Sequence, residues 1–422
     1  MPYSSSFDFK QVLLPGDHIA WPQGVGEPTG LTAALMKQSS DLPNTTLVLG
    51  MVTTSTLAEA ESSGFEFLCL NGAAGTRKAA ALSNNRVIPA HVSAIPKLIL
   101  TRRIPVDVAL IRVRSTLDPG MYSLGVMADY VHELVHMARI VVAEIDERMP
   151  ETTGGDALLS KSCIDHFVTA DGDEPLIFDP DPSTDEMAVA EHVAKLIPDR
   201  ATVQFGVGGM PVAVCQALRG HKDLGLHSGV IADSAIDLIE SGVITNRFKG
   251  IDEGVTVTGG LFGSRRTIEF ADANSSIMLR RASYTHATKT MAQLNCYHTI
   301  NSAVEIDLSG QLNSEVVGGR YIGAVGGQVD FVRGARLSEN GCSIIAMTST
   351  TPNGKHSKVV VDLGSSPVTT PRSDIDVVVT EYGVARLWGL DLPGRARALI
   401  NVAHPEFRDQ LREDFQKQSI RA

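Results

Sequence analysis

Two glycine-rich segments and a few scattered carboxylates and histidines are the residues of this chain that could do chemistry. Gly206-Val207-Gly208-Gly209-Met210-Pro211 follows an apolar run and precedes an apolar-periodic one. Backbone N–H groups there can face a phosphate or an oxyanion without side-chain obstruction. A tight strand-to-helix turn that needs positive φ would read the same way. The second segment, Gly323 to Phe331 with Gly326, Gly327 and Gln328 at its centre, suggests another close backbone approach to a ligand or else a sheet-edge turn. Arg333 is near enough in sequence to meet an anion there. Just before it, residues 301–316 alternate as a β-hairpin around Ser309-Gly310 would. The strands of that hairpin would carry Glu305, Asp307 and Glu315, which in such settings are usually solvated.

His132-Glu133-Leu134-Val135-His136 matches the pattern in which two histidines one helical turn apart hold zinc and the glutamate activates its water. Glu144, Glu147 or Glu151 could complete such a site. The surrounding chain is not peptidase-like, and an ordinary helix accounts for the five residues, so no metal is expected. His227, His286, His298 and His404 show no ligand spacing. Ser228 follows His227 directly, but a serine–histidine pair requires spatial geometry that adjacency alone does not supply.

The elements that must position these residues read as α/β. Apolar, β-rich runs at Thr46–Val52, Val106–Val113, Ile140–Ile145 and Val377–Thr380 alternate with helical-period segments at Asp129–Arg139 and Thr184–Leu196. That alternation predicts βα units and largely parallel sheets. The run from Asp17 through Gly24-Val25-Gly26 to the following helical segment resembles the run from Asp199 through Gly206-Val207-Gly208, at an offset of 199 − 17 = 182 residues. Each is a strand, a Gly-x-Gly turn, a nearby proline and a helix, which predicts duplication of one domain. Acidic residues and three prolines make 171–186 an exposed connector, so the expected domains are 1–185 and 186–422, with a terminal helix from Glu406.

At 422 residues the chain exceeds one ordinary core. Its net charge of −11 argues against nucleic acid or an anionic membrane as main partner, leaving any anion site local. Five scattered cysteines without a C-x-x-C suggest neither disulfides nor a cysteine zinc site. With no signal-like start and no long uncharged apolar stretch, the chain is expected to be cytoplasmic.

The second half resembles the 4-hydroxybutyrate and butyrate CoA-transferases of the acetyl-CoA hydrolase/transferase family. The resemblance rests on GVGGMPVAV, DLGLHSGVIADSAIDLIESGVITN, INSAVEIDLSGQLNSE, GAVGGQVDFVRGA, VTTPRSDIDVVVTEYGVARL and RARALINVAHPEFR. The first half matches more loosely, through NGAAGTRKAA, VDVALIRV, DPGMYSLG and AEIDERMP. The resemblance implies two tandem related α/β domains of the CoA-transferase family I type, with the active site between them, in a homodimer or higher homo-oligomer. It implies an acyl-CoA substrate, a small carboxylate or water as acceptor, and no cofactor beyond the coenzyme A of the substrate. Gly206, Gly208, Gly209, Met210 and Pro211 would hold CoA and form an oxyanion hole, and Gly326, Gly327 and Gln328 would line the CoA channel.

In that family a glutamate in an L-G-[IL]-H-[ST]-E context attacks the thioester and becomes acylated. Here the matching segment is Leu224-Gly225-Leu226-His227-Ser228-Gly229, so Gly229 stands at the nucleophile's position. The family's Tyr-Val-Asn-Asp is matched by Tyr284-Thr285-His286-Ala287. Glycine cannot form an acyl anhydride, and a vacancy about the size of a carboxylate is expected there. Hydrolysis of the thioester, or cleavage of a carbon–carbon bond in a CoA-linked β-keto acid, is the favoured reading, with His286 as base and Ser228 nearby. The alternatives are CoA transfer by a relocated carboxylate such as Glu315 or Glu305, and a non-catalytic acyl-CoA-binding protein.

Overall fold

A computed structural model of the chain describes residues 7–42, 44–82 and 86–419. Two eight-stranded, mostly parallel sheets dominate it. In the first, parallel strands lie in the order Glu66–Cys69, Thr46–Leu49, His18–Ala20, Val108–Ser115, Ile140–Ile145 and His166–Thr169. An antiparallel extension, Met121–Ser123 with Leu158–Ser160, continues from the end of Val108–Ser115. In the second, the order is Ile277–Leu279, Thr256–Leu261, Gly225–Ile231, Thr202–Gln204, Tyr297–Asn301, Cys342–Ala346, Val377–Thr380 and Gly383–Arg386, with only the last pair antiparallel.

The repeat read from the sequence lands on the same place in both sheets. His18–Ala20 and Thr202–Gln204 each open their half and lie in its middle; later strands are added first to one side and then to the other. Each therefore borders the point where strand order reverses, and in open α/β sheets ligands bind at the carboxyl ends of the strands at that point. Parallel strands covered on both faces need continuous apolar runs, and all four residues of Thr46–Leu49 and of Val377–Thr380 are buried accordingly. The helix foreseen over 184–196 runs Thr184–Ala194, fixed at its start by a reciprocal Ser183–Glu186 capping box. The tail forms the expected helix, Pro405–Ser419.

The halves are sewn together by main-chain bonds. Ala128 N–H donates to Gly259 O (3.0 Å), Leu261 N–H to Val126 O (2.9 Å), Ala282 N–H to Asp129 O (2.7 Å), Gly72 N–H to Gly323 O (2.7 Å) and Val92 N–H to Gly326 O (3.0 Å). The first Gly-x-Gly turn is closed by this union: Gly24, at φ +56°, would place a Cβ 2.3 Å from the ring of Phe262 in the other half. One apolar core runs through both sheets.

The hairpin around Ser309-Gly310 exists, pairing Ile306 with Leu312 and Glu305 with Asn313, but it is shorter than expected. Glu315 lies beyond its strands. Nor are Asp307 and Glu315 solvated. Both are buried, and Asp307 accepts from the N–H groups of Ser309 and Gln311 at 2.9 Å each, so it builds the turn. Among the described residues no helix is long and apolar enough to cross a membrane.

Candidate active site

Gly206 to Pro211 leaves the carboxyl end of Thr202–Gln204, directly at the reversal of strand order, and leads into the helix Gly209–Ala217. Gly208 adopts φ +112° with open space where a side chain would point. The N–H groups of Val207, Gly208, Gly209 and Met210 have no acceptor among the described residues. Four free donors around a helix start form a preorganised site for negative charge.

Gly229 sits on the adjacent strand, Gly225–Ile231, near its carboxyl end. Its backbone lies outside the left-handed region, so packing rather than φ keeps a side chain out. A Cβ there would lie 2.9 Å from both Cε1 and Nε2 of His286 and 3.3 Å from Phe331. A Cβ on Gly327 would lie 2.5 Å from Nε2 of the same ring. The imidazole of His286 is thus held between two glycines and stacked on Phe331, ring centroids 4.6 Å apart. The vacancy expected beside Gly229 is not present, because a planar ring that arrives from the end of the helix Ala282–Thr285 fills it.

His286 is 6% exposed. Burial, aided by nearby His227, pushes its pKa down to about 3, so the ring is neutral at ordinary pH. Nδ1 lies 2.9 Å from Oγ1 of Thr285, and that hydroxyl in turn donates to Arg281 O at 3.3 Å. With its proton given to Arg281, Oγ1 accepts from Nδ1–H, which leaves the lone pair on Nε2. Nε2 has no hydrogen-bond partner among the described residues.

Beneath this strand lie two groups that the sequence did not single out as a pair. His227, fully buried, meets Thr285 O through Nε2 at 3.0 Å, and burial followed by the charge of Lys249 lowers its pKa to about 3. Lys249 is itself buried, donating to Leu226 O (3.1 Å) and Val255 O (2.6 Å), with its pKa brought down to about 8 by burial. Its stem runs where a Cβ on Gly225 would be, at 2.4 Å.

The other expected residues divide. Ser228 points away from His286's side of the strand; its buried hydroxyl donates to Phe205 O at 2.7 Å, tying the Gly229 strand to the glycine turn. Ser228→Ala is therefore expected to cost about 1 kcal/mol of stability and leave kcat unchanged, as urea unfolding and steady-state kinetics would report. Glu315 accepts from Tyr321 OH and Thr369 Oγ1, each at 2.7 Å, so its carboxylate is already committed. Glu305 accepts from Asn313 Nδ2 at 2.9 Å. Gln328 accepts from Ser314 Oγ (2.7 Å) and donates to Ser302 O (3.2 Å), bracing the loop. Arg333 is paired with Asp374 at 2.8 Å and is not offered to an anion.

His132 and His136, one turn apart, share a face of the helix Val131–Met137. His132 Nε2 meets Asp156 O at 2.8 Å, Glu133 lies 3.7 Å from Arg281, and no metal-holding cluster exists among the described residues. Two features went unforeseen. Ser93 clamps Asp330 through its N–H (3.0 Å) and hydroxyl (2.6 Å), holding the helix of Phe331 against the first half. Asp129, buried and accepting from Gln23 Nε2 at 2.6 Å, has a pKa raised to about 7, chiefly by burial.

The sequence description of the acetyl-CoA hydrolase/transferase N-terminal domain matches residues 7–178, and that of the C-terminal domain matches residues 263–415. A 4-hydroxybutyrate coenzyme A transferase of Clostridium kluyveri is 38% identical over 403 residues, covering 94% of each chain. A butyryl-CoA:acetate CoA-transferase of Anaerostipes caccae is 31% identical, covering 97% of this chain and 95% of its own. Among solved structures, RipA from Yersinia pestis superposes with a TM-score of 0.89 at 30% identity, over 96% of this chain and 95% of its own. A 4-hydroxybutyrate CoA-transferase from Porphyromonas gingivalis gives 0.83 at 31%, over 98% and 97%. With two domain descriptions matched in order and full-length relatives above 30% identity, the chain belongs to the acetyl-CoA hydrolase/transferase family and is an enzyme of that family.

Proposed function

We propose that this enzyme hydrolyses an acyl-CoA thioester in the cleft between its halves, with His286 in the place where the resemblance to CoA-transferases puts a glutamate nucleophile. The observation that carries this reading is the ring of His286 lying within 2.9 Å of where a Gly229 side chain would begin. The thioester carbonyl faces the free N–H groups of residues 207–210, which stabilise the oxyanion formed on attack. Gly326 and Gly327 border the channel for the CoA arm. Nε2 takes a proton from water as its oxygen bonds to the carbonyl carbon; the C–S bond then breaks and the same proton goes to the departing thiolate. The products are a free acid and CoA. A pKa near 3 makes the ring a weak base but keeps it neutral and ready over the whole physiological range.

Transfer through an acylated side chain needs an available carboxylate, and Glu315 and Glu305 are both held by hydrogen bonds. The acidic net charge and scattered thiols fit a cytoplasmic enzyme, and the resemblance to CoA-transferases suggests a homo-oligomer. The test is turnover of a panel of acyl-CoAs with and without acetate or succinate, following thiol release and product masses together. Acceptor-independent release of CoA and free acid is the expected result. Acyl transfer that strictly requires a carboxylate would overturn the hydrolytic reading.

A further inference from the structure

Beside the helix Val131–Met137 lies a cavity of about 510 Å³, walled by Leu100, Val135 and Leu159 and carrying the polar groups of His132, Glu133 and Arg281. None of the residues that act on the thioester borders it. Glu133 is 5% exposed, and neither oxygen of its carboxylate accepts a hydrogen bond among the described residues. Oε2 has no partner at all, and Oε1 has only the guanidinium of Arg281, at 3.7 Å. A buried carboxylate without a donor is destabilising, and a donor that enters the cavity relieves it. His132 gives its Nε2–H to Asp156 O at 2.8 Å, which leaves Nδ1 as a second acceptor.

These acceptors call for an ammonium. The described residues hold no metal-binding cluster, and no lysine borders the cavity. A water molecule, at about 30 Å³, would fill a small part of the space and leave the three apolar side chains uncovered. Arg281 supplies the opposite charge. Its backbone is fixed, with N–H donating to Asp156 Oδ2 at 3.1 Å and the carbonyl accepting from Thr285 Oγ1 at 3.3 Å, at the start of the helix that ends at His286. Its Nε meets Asp156 Oδ1 at 3.2 Å, while the side chain is 41% exposed, so the outer edge of the guanidinium is open to a carboxylate. Asp156 is also 3.9 Å from Arg280, so Glu133, Asp156, Arg280 and Arg281 balance in charge. A ligand that adds no net charge suits such a site.

We infer that this cavity binds a free α-amino acid with an aliphatic side chain. Its ammonium meets Glu133 and Nδ1 of His132, its carboxylate meets the outer edge of Arg281, and its side chain covers Leu100, Val135 and Leu159. Neighbouring charges of opposite sign in the cavity thus match the neighbouring charges on one α-carbon. The test is calorimetric titration of the full-length protein with leucine, isoamylamine and 4-methylpentanoate, which share one branched stem and differ only in their charged groups. Leucine should bind, and the amine and the acid should each bind at least about tenfold more weakly. Glu133→Gln keeps the shape without the charge and should weaken leucine about tenfold, with thermal unfolding measured alongside because the residue is buried. Leu100→Trp alters a side chain that is 46% exposed, so the variant is expected to fold, and it should block leucine by filling the cavity. Amine or acid binding as tight as that of leucine would overturn the inference. So would leucine binding undisturbed by Leu100→Trp or by a folded Glu133→Gln, or a wild type that does not take up leucine at millimolar concentration.

Discussion

Gly229→Glu alone should abolish turnover rather than create a transferase. The new Cβ would begin 2.9 Å from the imidazole of His286 and 3.3 Å from Phe331, with Gly327 closing the opposite side of the ring. Overpacking of this kind costs about 1–3 kcal/mol, and displacing the ring from its position should lower kcat by about 100-fold or more. The double variant Gly229→Glu/His286→Asn removes the ring as the carboxylate enters. It should regain near wild-type thermal stability and show acyl transfer that requires a carboxylate acceptor. Incubation with acyl-CoA should then release the free acid and leave the new carboxyl as a CoA thioester, adding the mass of CoA less one water to the protein. A single Gly229→Glu variant with wild-type stability and turnover would show that the ring does not occupy this space.

That coupling explains how much of the molecule was legible beforehand. The strands and the duplicated opening were readable because buried parallel strands write continuous apolar runs, and because the Gly-x-Gly turns recur in the same setting 182 residues apart. The Gly206–Pro211 segment was readable as a strand-to-helix turn, whereas its place at a reversal of strand order shows only in the fold. What fills the space beside Gly229 was not readable, since His286 and Gly229 meet only through the fold, and nothing local says which side chain grows when a neighbour shrinks. The carboxylates were misjudged for a related reason. Alternation identified a hairpin around Ser309-Gly310, but Glu315 is satisfied by Thr369, 54 residues away. Lys249 carries no local sign of burial either; its stem fits only because Gly225 lacks a side chain. The zinc-like histidine motif, read as an ordinary helix, shows how little a short local pattern says by itself: His132 meets Asp156 O and Glu133 lies near Arg281.

The histidine that fills the site should also be visible in how stability responds to acid. His286 titrates near 6.5 when unfolded and near 3 when folded, because burial disfavours its charged form. Below pH 6.5 the unfolded chain takes up a proton that the folded chain refuses, so stability is complete above that pH and is lost as pH falls towards 3. Asp129 and Glu144, raised to about 7 by burial, act with the opposite sign, gaining stability as pH falls below 7. The wild-type curve alone is therefore partly flattened, and the difference between wild type and His286→Asn isolates the ring. Between pH 7 and pH 5 the wild type should lose about 2 kcal/mol relative to the variant, measured as ΔG of unfolding in urea at each pH. A pH-independent difference would mean that the ring is solvated in the folded protein. Catalysis should follow the same pKa: kcat/KM of the wild type should show no His286 inflection near pH 6.5, since an imidazole with a pKa near 3 stays neutral down to pH 5. Such an inflection, lost in His286→Asn together with its residual activity, would place the working ring in water instead of between Gly229 and Gly327.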